Sequence, residues 1–297
     1  MTSAEGAGDD GGRLMVTVVI PARNAAATLP AQLAALDRQV DGVDFDVILV
    51  DNGSTDGTGA LAAAHVSQRY SLQVVHEPIA GTNRARNAGI SVVDGGLVLL
   101  CDADDEVSPR WVNELVAAWT PGTWVAGIVD YTALNTARTR LQWGAAERSA
   151  GVTPEPFVDW TFTCNCGFDR AMWADLGGFD DALSGVGGDD TEFFMRAYAA
   201  GYRQRWAPDA LVAYRLRAGV RNMCRQRYRQ GRNQVLVSSR SAAAAGLVPG
   251  RRATTRSLAW LLLATPKYLL TGSRRYQWLG AACGHVGRLV GYRAVAA

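Results

Sequence analysis

Carboxylates all but vanish from the last third of this 297-residue chain: beyond Tyr202 a single one, Asp209, stands against 18 basic side chains. Residues 1–202 reverse the balance with 27 acidic and 12 basic residues, so an overall charge of +2 hides −15 followed by +17. Two parts with different partners are expected from such a split. The basic part suits anionic lipid or a phosphorylated substrate, or it simply neutralises the acidic body. Nucleic acid is not expected, because that body would repel a phosphate backbone.

Long apolar runs are missing too. The best, LAWLLLATPKYLL, holds 13 residues including Pro266 and Lys267, too short and interrupted to span a bilayer. The five cysteines lack the spacing of a disulfide framework, and Cys164-X-Cys166 has no second Cys/His pair at zinc-finger distance. They read as ordinary buried or half-buried thiols in a reducing compartment. The opening MTSAEGAGDDGGR lacks a basic start and an apolar core, so 1–13 reads as disordered rather than as a signal peptide. A cytoplasmic protein follows, and no internal repeat is visible.

What is present is an alternation of strand and helix signals. Met15–Ile20, Phe45–Val50, Leu72–Val75 and Leu97–Cys101 are apolar strand runs. Between them lie helical stretches: one capped by Thr28, one capped by Asp56 and running to Tyr70, and one from Gly81 to Val93. This βαβαβαβ series predicts an α/β fold, a mostly parallel sheet with helices on both faces. Later helices are expected at Trp111–Trp119, Ala171–Leu176 and Thr191–Ala200, and a strand at Trp124–Val129. The polar stretch Asn135–Asp159 reads as a lid or acceptor loop. From Val220 onward the chain is Arg-rich helix.

Three acidic clusters follow or lie close to strand-like runs: Asp51, then Asp102, Asp104 and Asp105, then Asp189 and Asp190. Open α/β sheets bind ligands at the carboxyl ends of their strands. An Asp-X-Asp pair there can hold a hard divalent cation, and the cation a diphosphate. Three carboxylates after LVLLC are too much like charge to bury for structure alone. Asp105 also reads as a cap for a helix starting near Ser108. His65 and His76 read as surface residues.

VTVVIPARNAAATL, VILVDNGSTDGT, GTNRARNAGI, LLCDADDEVSP and LGGFDDALSGVGGDDTEFFMRAYAAG, in that order, resemble a family 2 glycosyltransferase over about Val16–Gly201. The resemblance implies a GT-A fold over 14–217, a nucleotide-sugar donor, an inverting mechanism and Mg2+ or Mn2+. By it, Pro21, Ala22, Arg23 and Asn24 line the base pocket with Asp51 across the crevice. Asn52, Ser54 and Asp56 then hold the intervening turn. Arg84 or Arg86 reaches the diphosphate, an exposed helix charge being the alternative, and Asn87 faces nucleotide or packs against its loop. Asp102 and Ala103 lie on the ribose or sugar side, Asp104 ligates the metal, and Asp190 is the general base beside donor-binding Asp189. Gly185, Gly187 and Gly188 let their loop approach the sugar.

Two features depart from that family. Relatives usually read Glu-Asp where this chain has Asp189-Asp190, and many carry a His where this chain reads Ala213, Tyr214, Arg215, Leu216, Arg217. Arg215 or Arg217 can then supply positive charge to the leaving group. In the basic helical region 218–297, Arg251, Arg252, Arg256, Arg274 and Arg275 flank the apolar stretch, with Trp260, Tyr268, Tyr276 and Trp278 interspersed. An interfacial helix on anionic lipid at the inner face of the membrane and an ordinary cap on the domain both fit. The expected reaction is transfer of a sugar, UDP-linked, to a cell-envelope or lipid-linked saccharide. A polyprenyl-phosphate sugar synthase and a catalytically silent nucleotide-sugar binder are the alternatives.

Overall fold

In the first strand the side chains alternate between two cores, which fixes where everything else lies. The computed structural model describes residues 14–40, 42–149, 161–183, 187–240, 248–269, 272 and 274–296. Expectations for 1–13, for 150–159 of the acceptor loop, for Gly185 and for the Tyr268 side chain lie outside the described residues.

Strands β1 (Val16–Ala22), β2 (Asp46–Asp51), β3 (Leu72–His76) and β4 (Leu97–Leu100) are the four apolar runs. They lie parallel, in the order β3-β2-β1-β4. Val18 and Ile20 of β1 pack on one face with Leu33, Leu36 and Trp111, and Val19 packs on the other with Val50, Ile90 and Phe168. That is the period-2 alternation of a strand covered on both faces.

The connecting helices are α1 (Leu29–Asp37), α2 (Thr58–Ala64) and α3 (Thr82–Ser91). One expected cap is not made and one is shifted by a residue. The Thr28 hydroxyl donates to the Ala25 carbonyl instead of accepting from the helix, while Gly57 at φ 89° occupies the cap position of α2 and Asp56 before it accepts from the Thr58 amide at the helix start. Helix α2 also stops at Ala64, because Tyr70 turns inward to stack on Phe45 at 5.5 Å and donate to the Leu33 carbonyl. His65 follows it, partly exposed and 3.0 Å from the Tyr70 hydroxyl. His76 is exposed, its side chain at 65%. In α3, a Cβ on Gly89 would come within 2.6 Å of Val19, so glycine lets this helix settle on the sheet.

The second half of the sheet is mixed. After β5 (Glu106–Val107) come α4 (Trp111–Ala118), β6 (Thr123–Asp130), α5 (Ala137–Trp143), β7 (Cys166–Asp169), α6 (Arg170–Asp175), a 3-10 turn at Asp181–Leu183, α7 (Asp189–Ala199) and β8 (Arg203–Ala213). Strand β7 enters antiparallel between β4 and β6, while β8 pairs parallel with β6 and antiparallel with β5. Phe168, Phe179, Phe193 and Phe194 lock α7 onto this half, the Phe179 and Phe193 rings stacking at 4.1 Å.

Four helices follow among the described residues: α8 (Val220–Arg240), α9 (Arg251–Leu263), α10 (Thr265–Leu269) and α11 (Arg274–Ala296). Helices α8 and α11 meet backbone to backbone. A Cβ on Gly231 would overlap the Gly284 carbonyl, one on Gly287 the Tyr228 carbonyl, and one on Gly291 would lie 2.8 Å from the Arg232 carbonyl. The pair rests on the sheet domain through α5 and the 3-10 turn, and Trp278 of α11 donates to the Leu261 carbonyl of α9. Among the described residues no helix is long and apolar enough to cross a membrane.

Candidate active site

The register levels the strand ends: Ala22 of β1 lies opposite Asp51 of β2, and Asp51 opposite His76 of β3. Beyond this edge the chain is held by its own polar side chains. Asp51 accepts from the Ser54 amide, Asp56 from the Ala26 and Thr58 amides, and Asn24, at φ 51°, from the Thr55 amide. Asn52 donates to the Glu77 and Ile79 carbonyls and accepts from the Gly81 amide. Asn52, Ser54 and Asp56 thus hold turns. A Cβ on Gly59 would sit 2.5 Å from the Asp51 carboxylate, so α2 approaches it as only glycine allows. Pro21 is half-buried, Ala22 buried and Arg23 exposed along the same rim.

Helix α3 forms the second wall. Arg86, 3% exposed, donates to Asp189 at 2.7 Å and lies 3.7 Å from Asp102, joining two acidic clusters that are 87 positions apart in sequence. Burial works against its charge, but Asp189, Asp102 and Asp190 outweigh that and push its pKa up. Arg84 faces outward, 3.4 Å from Asp181. Asn87 spends its amide on the polypeptide, donating to the Phe179 carbonyl and Asp181 and accepting from Trp173 Nε1 and the Phe179 amide. It packs against the loop, the second of the two roles open to it.

The third wall is the Asp102–Asp105 turn after β4. Asp102 is half-buried, Ala103 buried and Asp104 exposed. Asp105 is 1% exposed: its Oδ1 accepts from the Arg215 amide at 2.7 Å, and its Oδ2 has no partner. It therefore does not cap the helix near Ser108. Arg215 Nε meanwhile donates to the Asp104 carbonyl. Burial and then the neighbouring carboxylates push the Asp105 pKa well up, while burial raises Asp102 to about 6 against the pull of Arg86. The sequence reading missed Cys164, whose sulfur lies with Asp102 and Asp105 in a set of ligand atoms all within 4.8 Å of one another. The signal was in the register: Leu100 pairs antiparallel with Cys166, which carries Cys164 to the level of Asp102.

Glycines Gly187 and Gly188, at φ 94° and 98°, turn the chain into α7, so Asp189 and Asp190 stand in its first turn. Burial, then the adjacent Asp189, raises the Asp190 pKa to about 7. A buried arginine among carboxylates, with one held near neutrality, can bind a phosphate ester and take a proton. The residue set also fits a divalent cation, since Asp105 keeps an unpartnered oxygen in a site crowded with negative charge. Burial, then Asp105, keeps Cys164 a thiol, so the carboxylates are the ligands suited to a hard ion.

An α/β sheet with acidic turns at its carboxyl edge and a helical end is the GT-A arrangement of glycosyltransferases. Residues 17–176 match the model of "Glycosyl transferase family 2" and 97–288 that of "Glycosyl transferase family group 2"; the chain belongs to family 2. It is 27% identical over 236 residues to the glycosyltransferase AglE of Haloferax volcanii, covering 75% of this chain and 73% of that protein. With the validoxylamine A glucosyltransferase of Streptomyces hygroscopicus it shares 26% identity over 66% of this chain, but spans only 55% of that protein. Among solved structures, a mannosyltransferase from Pyrobaculum calidifontis in complex with GDP-Man and Mn2+ superposes with a TM-score of 0.67 at 22% identity, over 95% of this chain and 88% of that one. Staphylococcus aureus TarS in complex with UDP-GlcNAc reaches 0.52 at 15% identity, over 95% and 92%.

Proposed function

We propose that residues 14–217 transfer a sugar from a nucleoside-diphosphate donor, UDP-linked in the first instance, to a hydroxyl acceptor with inversion. What carries this reading is the meeting of Arg86, Asp102, Asp189 and Asp190 at one end of the sheet. The donor's base lies along Pro21–Asn24 and Asp51, and its diphosphate runs toward Arg86, with Arg84 at the rim. Asp190 takes the proton from the acceptor hydroxyl as that oxygen attacks the anomeric carbon from the face opposite the diphosphate. One in-line displacement inverts the centre and needs no covalent intermediate. A pKa of about 7 suits this base, since it is available near neutrality and still accepts a proton well. Arg86 holds Asp189 in place beside it.

Asp102, Asp104 and Asp105 are the residues that would hold Mg2+ or Mn2+. Such an ion, when bound, offsets negative charge on the departing diphosphate. For the acceptor we favour a cell-envelope or lipid-linked saccharide. Trp260, Leu262 and Leu263 are exposed on α9 beside exposed Arg251, Arg252 and Arg256, which supports peripheral contact with anionic lipid from the cytoplasmic side.

Calorimetric titration with UDP, GDP, dTDP and ADP, each with and without Mn2+, tests the reading. One nucleotide bound tightly with metal, and lost in Asp104→Asn, is the expected outcome. No binding by any of the four would sink it.

A further inference from the structure

The arginine-rich end contains a cavity that the donor site does not use. It holds about 420 Å3 between α5, α8 and α11, and its wall includes Trp143, Arg227, Gln230, Gln234, His285 and Arg288. Arg227 lies over the Trp143 ring at 5.6 Å and reaches only neutral acceptors, the Trp143 carbonyl at 3.4 Å and Gln230 Oε1 at 3.5 Å. Arg288 donates to Gln234 Oε1 at 3.1 Å and lies 2.7 Å from His285 Nδ1. Its Nε is buried with no partner. Among the described residues no carboxylate pairs with either guanidinium.

Burying cations without counter-charge is costly, and burial pushes both arginine pKa values down. The planar forks of two arginines, with glutamine and imidazole beside them, match the oxygens of a phosphate. The cavity also borders the catalytic loop. Gln230 lines it, and the same side chain would lie 2.6 Å from a Cβ on Gly187, three positions before Asp190.

We propose that this cavity is a second phosphate site, separate from the carboxylate-lined donor site, and that the phosphate it takes belongs to the acceptor. The first half stands on the cavity alone; the second rests on the transferase reading above.

Inorganic phosphate titrated calorimetrically into the full chain at constant ionic strength tests the site. Binding is expected in the parent and in Asp104→Asn, and to weaken about tenfold in Arg227→Gln and in Arg288→Gln, with Arg288→Lys partly restored. Nucleotide binding at the parent's level in these variants shows that they are folded. Phosphate binding unchanged by both glutamine variants would overturn the site, as would phosphate that displaces nucleotide from the parent. Nucleotide binding absent from every protein, with phosphate binding intact, would remove only the acceptor assignment.

The source of the phosphate is read from vesicles. Capture by phosphatidic acid in phosphatidylcholine that falls in Arg288→Gln, but not in Arg110→Gln at an exposed site on the sheet domain, identifies a lipid headgroup. Competition by glycerol phosphate with no such fall identifies a soluble phosphate ester.

Discussion

The acidic sheet and the basic helical end treat their charges in opposite ways. In the sheet, carboxylates from two turns, after β4 and at the start of α7, converge on one guanidinium, Arg86, and the edge loops are tied by side chains bonded to backbone. In the helical end, arginines stand on α8 and α11 with few partners, and the helices are joined by glycine backbone rather than by charge. Where charges must act on one another, the fold brings them from distant sequence to a rigid edge. In the helical end, Arg227 and Arg288 have, among the described residues, neutral partners and no carboxylate.

The largest effect should come from the converging end. Asp190→Asn is expected to lower transfer, or slow donor hydrolysis, by about 10²–10⁴-fold while nucleotide affinity holds. An equal fall in affinity would make Asp190 a binding residue instead. Arg86→Gln leaves Asp189 buried and unpaired, and should cost about 3–5 kcal/mol in urea unfolding. Loss below about 1 kcal/mol would show that the carboxylates do not depend on it.

Gly287→Val probes the other end. Its side chain meets the Tyr228 carbonyl, and a cost of about 1–3 kcal/mol is expected. Nucleotide affinity should hardly change, and a large change would show that the two regions are coupled.

The pH dependence separates them further. Asp190 titrates at about 7 when folded against an ordinary 3.8, so between those values the folded state binds more protons than the unfolded. Its contribution to stability therefore falls as pH rises through that window. Transfer should rise over the upper part of the same window as the base ionises. Melting temperature and rate followed from pH 4 to 8 should move in opposite directions, and Asp190→Asn should flatten this group's share of the melting trend. The smallest effect is expected at the exposed Arg110–Glu114 pair, where Arg110→Gln should cost about 0.3–0.5 kcal/mol or nothing by urea unfolding.

Most of the sheet was legible because strands buried on both faces are apolar throughout, as in VTVVI and LVLL. Their ends were legible from Pro21 and the aspartates. The short β5 and β7 were not, since two or four residues carry no periodicity. Asp105 was misread because its partner, the Arg215 amide, lies 110 positions away and leaves no local trace. The tight pairing of α8 with α11 was not read, although the glycines at 280, 284, 287 and 291 keep a spacing that stays on one helix face, because the arginines dominate that segment.

That glycine seam leaves α8 and α11 nothing compressible between them. Helices separated by side chains can tilt as rotamers change, but two backbones in contact can shift only by parting. The helical end is therefore a stiff bracket, and the width of the groove between Arg227 and Arg288 is set when the chain folds, before any ligand arrives.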